Sequence, residues 1–93
     1  MTVLHILQTT RLPPTNTTHD GDTVLLIGDA VVFACSEKIN ELRERIGVAT
    51  PIAVLDDDLQ LRGLHIRQEQ NCSTINYKEF VDLTLQHHLI RSC

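Results

Sequence analysis

The chain has 93 residues, 42% hydrophobic and 22% charged, with a net charge of −4. That describes one globular domain over residues 1–93, with a modest core hiding about 60–65% of the unfolded surface. Eight scattered Lys and Arg give no clustered positive field for nucleic acid, and no apolar run nears the roughly 18 residues of a membrane span.

Val3-Leu4-His5-Ile6-Leu7 reads as a first strand. Residues 9–22 carry Pro13, Pro14, Asn16, Gly21 and several threonines, with only Leu12 strongly apolar, so they read as a loop. Val24-Leu25-Leu26-Ile27 is a second strand that runs into Gly28-Asp29. Asp29 is placed to cap one helix reaching Ile46, with Val32, Cys35, Ile39, Leu42 and Ile46 as its buried stripe and Gly47 as its stop. Ile52-Ala53-Val54-Leu55 is a third strand and runs into Asp56-Asp57-Asp58. Asp57 or Asp58 is expected to cap a short helix ended by Gly63.

Ser73-Thr74-Ile75 is a short fourth strand. Asn76 with Glu79 has the spacing of a capping box, and Tyr77, Phe80, Val81 and Leu85 are expected to be the buried stripe of the last helix. The tail from His87 to Cys93 is mixed and is expected to fray or dock. Strands and helices alternate, which predicts an α/β fold with a small parallel sheet of about four to five strands flanked by helices. Such a sheet needs cover on both faces, yet only two substantial helices are available. An uncovered face predicts a protein that works within an assembly.

The acids after the second and third strands sit where open α/β sheets gather their chemistry. Asp56–Asp58 invite a Mg²⁺ reading, as in a phosphoacceptor-like module, but the first strand ends in Gln8-Thr9-Thr10 with no acid to complete it. Helix capping is the favoured role. Cys35 is expected near a helix start, where the dipole would activate a thiol, and also on the apolar stripe, which would silence it. Cys72 falls in a polar stretch and Cys93 is the last residue; Cys35 and Cys93 are the weak candidates for carrying sulfur. His87 and His88 are adjacent and so point apart on a helix, which disfavours one shared metal ion. His5, inside an apolar strand, reads as a hydrogen-bonded core histidine. No phosphate-binding glycine loop or nucleophile elbow is present. No cofactor and no metal are expected. An odd cysteine count without C-x-x-C argues for a reducing, cytoplasmic setting, and the start of the chain lacks the pattern of an export signal.

The early His strand, then GDTVLLIGDAVVFA, PIAVLDDDLQLRGL and INYKEFVDLTLQH, together resemble the DsrH/TusB family of sulfur-relay proteins. The resemblance lies in their order along nearly the whole chain, including an "L-x-x-R-G" turn at residues 59–63 and a "Y-x-x-F-V-x-L" helix at residues 77–83. It implies a DsrE/DsrF/DsrH-like fold. It also implies a cytoplasmic, structural subunit that joins homologous D/E-type and C/F-type subunits in a hetero-hexamer, or forms a homo-oligomer when isolated. In the TusBCD version such a complex passes persulfide sulfur towards thiolation of the tRNA wobble uridine; in the DsrEFH version it serves oxidative sulfur metabolism. The principal sulfur-carrying cysteine belongs to the D- or E-type subunit. The chain is therefore read as an accessory subunit rather than an enzyme by itself, with persulfide carriage on its own cysteine as the rival. Two departures stand out. Asp29-Ala30 replaces the usual Asp-Gly, and residues 9–22 replace a helix that sometimes bears a cysteine, so no family cysteine can be carried over.

Overall fold

Three of the five strands form where β-branched and leucine side chains run together, and all five pair in parallel. A computed structural model describes residues 2–15, 18–66 and 72–92. The strands are β1 (Val3–Leu7), β2 (Thr23–Leu26), β3 (Ile52–Leu55), β4 (Cys72–Ile75) and β5 (Leu89–Ser92). Their order across the sheet is β4-β3-β2-β1-β5. The expected parallel α/β sheet is present. The tail forms its fifth strand and does not fray, because the amides of His88 and Leu89 donate to the Thr2 carbonyl and lead β5 alongside β1.

Three connections step from β1 to β4 in one direction, and the fourth steps back across the whole sheet. Right-handed crossovers require the returning connection to lie on the opposite face. The packing follows that rule. The first face gathers Leu7, Val24, Leu26, Ile52 and Val54 beneath a 3-10 helix (Gly28–Cys35), α1 (Lys38–Ile46) and α2 (Asp56–Leu61). The second face gathers Leu4, Ile6, Leu25, Ala53 and Ile75 beneath α3 (Tyr77–Gln86), reached by Phe80 and Leu83. No described helix is long and apolar enough to cross a membrane.

The single helix expected from Asp29 to Ile46 is two elements. Residues 28–35 wind with the 3-10 repeat, in which positions i and i+3 eclipse. Ala30 with Phe33 and Val31 with Ala34 therefore form the buried rows, while Asp29, Val32 and Cys35 form the outer one. A stripe drawn with the α-helical period placed Val32 and Cys35 inside; only its α1 part, Ile39, Leu42 and Ile46, is buried. The break comes at Ser36, whose hydroxyl donates back to the Val32 carbonyl and accepts from the Lys38 amide. Gly47 ends α1 at φ +89, as expected, with its amide donating to Arg43 O.

The described residues of the loop between β1 and β2 cover part of the first face, with no helix among them. Pro13 is buried, its carbonyl accepts from Arg45, and the Thr18 hydroxyl donates to the last carbonyl of α1, on Ile46. Asn76 and Glu79 make the expected capping box. The stripe expected for α3 is not buried: Phe80 and Leu83 are half-buried, while Tyr77, Val81 and Leu85 are exposed. No α3 residue is buried outright.

Candidate functional site

Gly28 turns the chain out of β2 at φ +56, where a Cβ would stand 3.3 Å from the Gln8 carbonyl at the end of β1. Its amide donates to Asp58 Oδ2 at 2.7 Å. Asp58 thereby joins the end of β2 to α2. One residue on, Asp29 Oδ1 accepts from Arg62 Nη2 at 2.9 Å. The acids at the two strand ends are therefore mutual ties, not the helix caps expected of them. The residues that precede the 3-10 helix and α2, Ile27 and Leu55, supply no side-chain cap of their own. Asp56 accepts from Gln60 one turn on, and Asp57 is exposed. Among the described residues no group of three or more His, Cys, Asp or Glu is placed to hold a metal ion.

The two ties differ in strength for a physical reason. A charged acceptor on a half-buried amide is worth more than an exposed ion pair, which water screens. Asp58→Ala is expected to cost about 1–3 kcal/mol in urea unfolding, because it leaves the Gly28 amide unsatisfied. Asp29→Asn is expected to cost less than about 1 kcal/mol. Equal costs would show that Asp58 is not the structural tie.

Cys35 ends the 3-10 helix, not the start of an α-helix, so the expected activation by a helix N-terminus is absent. Its thiol donates to Val31 O at 3.4 Å, and burial pushes its pKa up. Cys72 opens β4 and does not lie in a polar loop; like Cys35 it packs half-buried against the first-face core. Cys93 lies outside the described residues. His87 spans from Leu83 O, at 2.7 Å from Nδ1, to the Thr23 hydroxyl, at 3.1 Å from Nε2. His88 instead meets Thr2 through its Nδ1.

The buried polar centre lies at the opposite, amino edge of the sheet. His5 Nε2 is 2.9 Å from Asp22 Oδ2, and both residues are buried. Asp22 also accepts from the amides of Val3, at 2.9 Å, and His19, at 3.0 Å. A carboxylate there needs the proton on His5 Nε2, which leaves His5 Nδ1 buried without a hydrogen-bond partner among the described residues. Burial by itself would raise the Asp22 pKa; the bonds from His5, Val3 and His19 and the field of His5 outweigh it and hold the carboxyl below its ordinary value. A cleft of about 510 Å³ beside it is lined by Thr18, His19, Asp22, Gly47 and Thr50, among others. Oδ1 accepts from Val3 and Oδ2 from His5 and His19, so the centre ties β1 to the segment that leads into β2. His5 was legible as a bonded core histidine; Asp22 was not, because nothing in a separation of 17 residues marks the pair.

The family described as DsrH like protein matches residues 13–89. The TusB proteins of Yersinia pestis (strain Pestoides F) and Yersinia pseudotuberculosis (serotype O:1b, strain IP 31758) are each 38% identical to this chain over 66 residues, which is 71% of this chain and 68% of theirs. The chain belongs to the DsrH/TusB family. Within this DsrH-family chain, the matched span holds both motifs that meet at the carboxyl edge, the GDA turn and the L-x-x-R-G turn. Arg62 reaches Asp29 and Asp58 reaches Gly28, so the two motifs hold one another. The matched span also contains α3 and its exposed apolar side chains.

Proposed function

We propose that this chain is a structural, non-catalytic subunit of a cytoplasmic sulfur-relay complex of the TusBCD kind, serving 2-thiolation of the tRNA wobble uridine. The similarity to proteins named TusB, over about two thirds of both partners, carries this reading. Its companions are homologous D/E-type and C/F-type subunits in a hetero-hexamer. The alternative, a DsrEFH-like subunit in oxidative sulfur metabolism, draws on the family's own name; the TusB relatives favour the tRNA branch.

Relay chemistry supports a supporting role. A thiolate attacks the outer sulfur of a persulfide, so a carrier needs an accessible cysteine held towards the thiolate form. Cys35 has the reverse setting, half-buried with its pKa raised. A subunit of this kind contributes surface and shape to a partner that carries the sulfur. The net charge of −4 fits a component that leaves tRNA to a basic enzyme downstream.

Intact mass spectrometry after incubation with a cysteine desulfurase and cysteine tests the role. The chain alone is expected to gain no adduct of about 32 Da, the mass of one sulfur atom. An adduct lost in Cys35→Ser, Cys72→Ser or Cys93→Ser would overturn the non-catalytic assignment and name the carrier. Deleting the gene is expected to remove the thiolated wobble uridine from tRNA; unchanged thiolation would overturn the tRNA branch.

A further inference from the structure

The second face of the sheet is wider than its cover. Neighbouring strands lie about 4.8 Å apart, so five strands span roughly 20 Å, about twice the width of one helix. Among the described residues α3 is the helix on this face, held there by Phe80 and Leu83. Beside it a cleft of about 310 Å³ opens over β3 and β4.

The cleft has an apolar floor and an acidic wall. Ala53 of β3 and Ile75 of β4, both part of the second-face core, form the floor. Glu79, Asp82 and Gln86 of α3 form the wall. No Lys, Arg or His lines the cleft among the described residues. One Glu79 oxygen accepts from the Asn76 amide in the capping box. Asp82 makes no hydrogen bond or ion pair among the described residues, and Lys78, one turn before it, lies outside the lining.

The far side of the cleft is an open sheet edge. Among the described residues β4 pairs on one side only, with β3. Ser73 lines the cleft, and both Ser73 and Thr74 are exposed. Side chains alternate along a strand, so Ser73 shares the second face with Ile75, while Cys72 packs against the first-face core. A strand laid along the outer side of β4 would satisfy its unpaired backbone groups and send every other side chain over the second face, towards the cleft.

Charge and shape select what that side chain is. The methylenes of a Lys or Arg would cover Ala53 and Ile75, and the cationic head would meet Asp82 and Glu79. An acidic side chain would be repelled by the same wall. A purely apolar one would cover the floor and leave Asp82 without a counter-charge. A second copy of this chain would bring a net −4 to a net −4.

We propose that the cleft between α3 and β4 is a docking site for an extended segment of another protein, which adds a strand to β4 and places Lys or Arg over the second face. The site goes beyond the sulfur-relay reading and does not depend on it.

The test titrates the full chain, labelled with nitrogen-15, with the blocked pentapeptide Thr-Val-Arg-Val-Thr and follows the backbone amides by NMR. Saturable shifts are expected at Ser73, Thr74, Ile75 and Asp82. A peptide with norleucine in place of Arg is expected to bind at least fivefold more weakly, and added salt is expected to erase that difference. Asp82→Lys is expected to lose the Arg peptide and to gain the peptide with Glu in its place. A melting curve checks that this variant is folded; Asp82→Asn, with the loss of the salt effect as its readout, serves if it is not. Equal binding of the Arg and norleucine peptides overturns the site. So do shifts confined to other surfaces, or no saturable shift at millimolar peptide. A dimer of the isolated chain by light scattering, with shifts at the same amides on dilution, overturns it in favour of a second copy.

Discussion

Asp22→Asn is expected to destabilise the chain by about 3 kcal/mol at neutral pH, because it breaks a buried charged centre while leaving its donors in place. Asn keeps the shape but replaces one accepting oxygen with an NH₂ group. The amides of Val3 and His19 and the ring of His5 all point at that carboxylate, so at least one donor would face another donor. The loss falls on β1, which lies inside the sheet between β2 and β5, and on the loop that leads into β2. Urea unfolding followed by far-ultraviolet circular dichroism measures it, since the chain has no tryptophan.

The pH dependence carries a defined sign. The Asp22 pKa is held below its ordinary value in the fold. Its stabilisation is therefore complete above the unfolded value, near about 3.9, and is lost as pH falls through the folded value. The gap between wild type and Asp22→Asn is expected to be widest near neutrality and to close below about pH 4. A gap that stays constant down to the lowest pH at which both chains remain folded would show that the carboxylate charge contributes nothing.

Phe33→Ala is expected to cost about 3–5 kcal/mol, against about 1 kcal/mol for Val32→Ala. The contrast tests the winding of residues 28–35. With a 3-10 repeat, Phe33 is buried in the first-face core and Val32 stands half outside it. With an α-helical stripe through Val32, Cys35 and Ile39, the order of the two costs would reverse. Thermal or urea unfolding of the two variants decides the matter, and a larger loss at Val32 would reject the 3-10 assignment.

Strands β1 to β3, the stop at Gly47 and the Asn76 capping box were legible because each depends on residues within a few positions of one another. Families of such local signals, in order, also carried the DsrH/TusB resemblance. The helix capped by Asp29 was misread because Asp29 has a better partner 33 residues away in Arg62. Asp58 was misread in the same way: its carboxylate reaches the Gly28 amide across the sheet edge instead of an amide of its own helix. In α3 the pattern of apolar residues was seen but its inner side was not. Apolar spacing marks a face that seeks cover, without saying whether this chain or another supplies it.

By itself the sequence determined a parallel α/β chain, its family and a net charge of −4. These follow from composition, local periodicity and the order of motifs along the backbone. Only the tertiary structure decided that Asp22 holds His5, that the tail becomes β5, and that Tyr77, Val81 and Leu85 stay outside. The physical reason is common to all three. Each outcome is set by contacts between residues far apart in the chain, where packing and the satisfaction of buried polar groups override local preference.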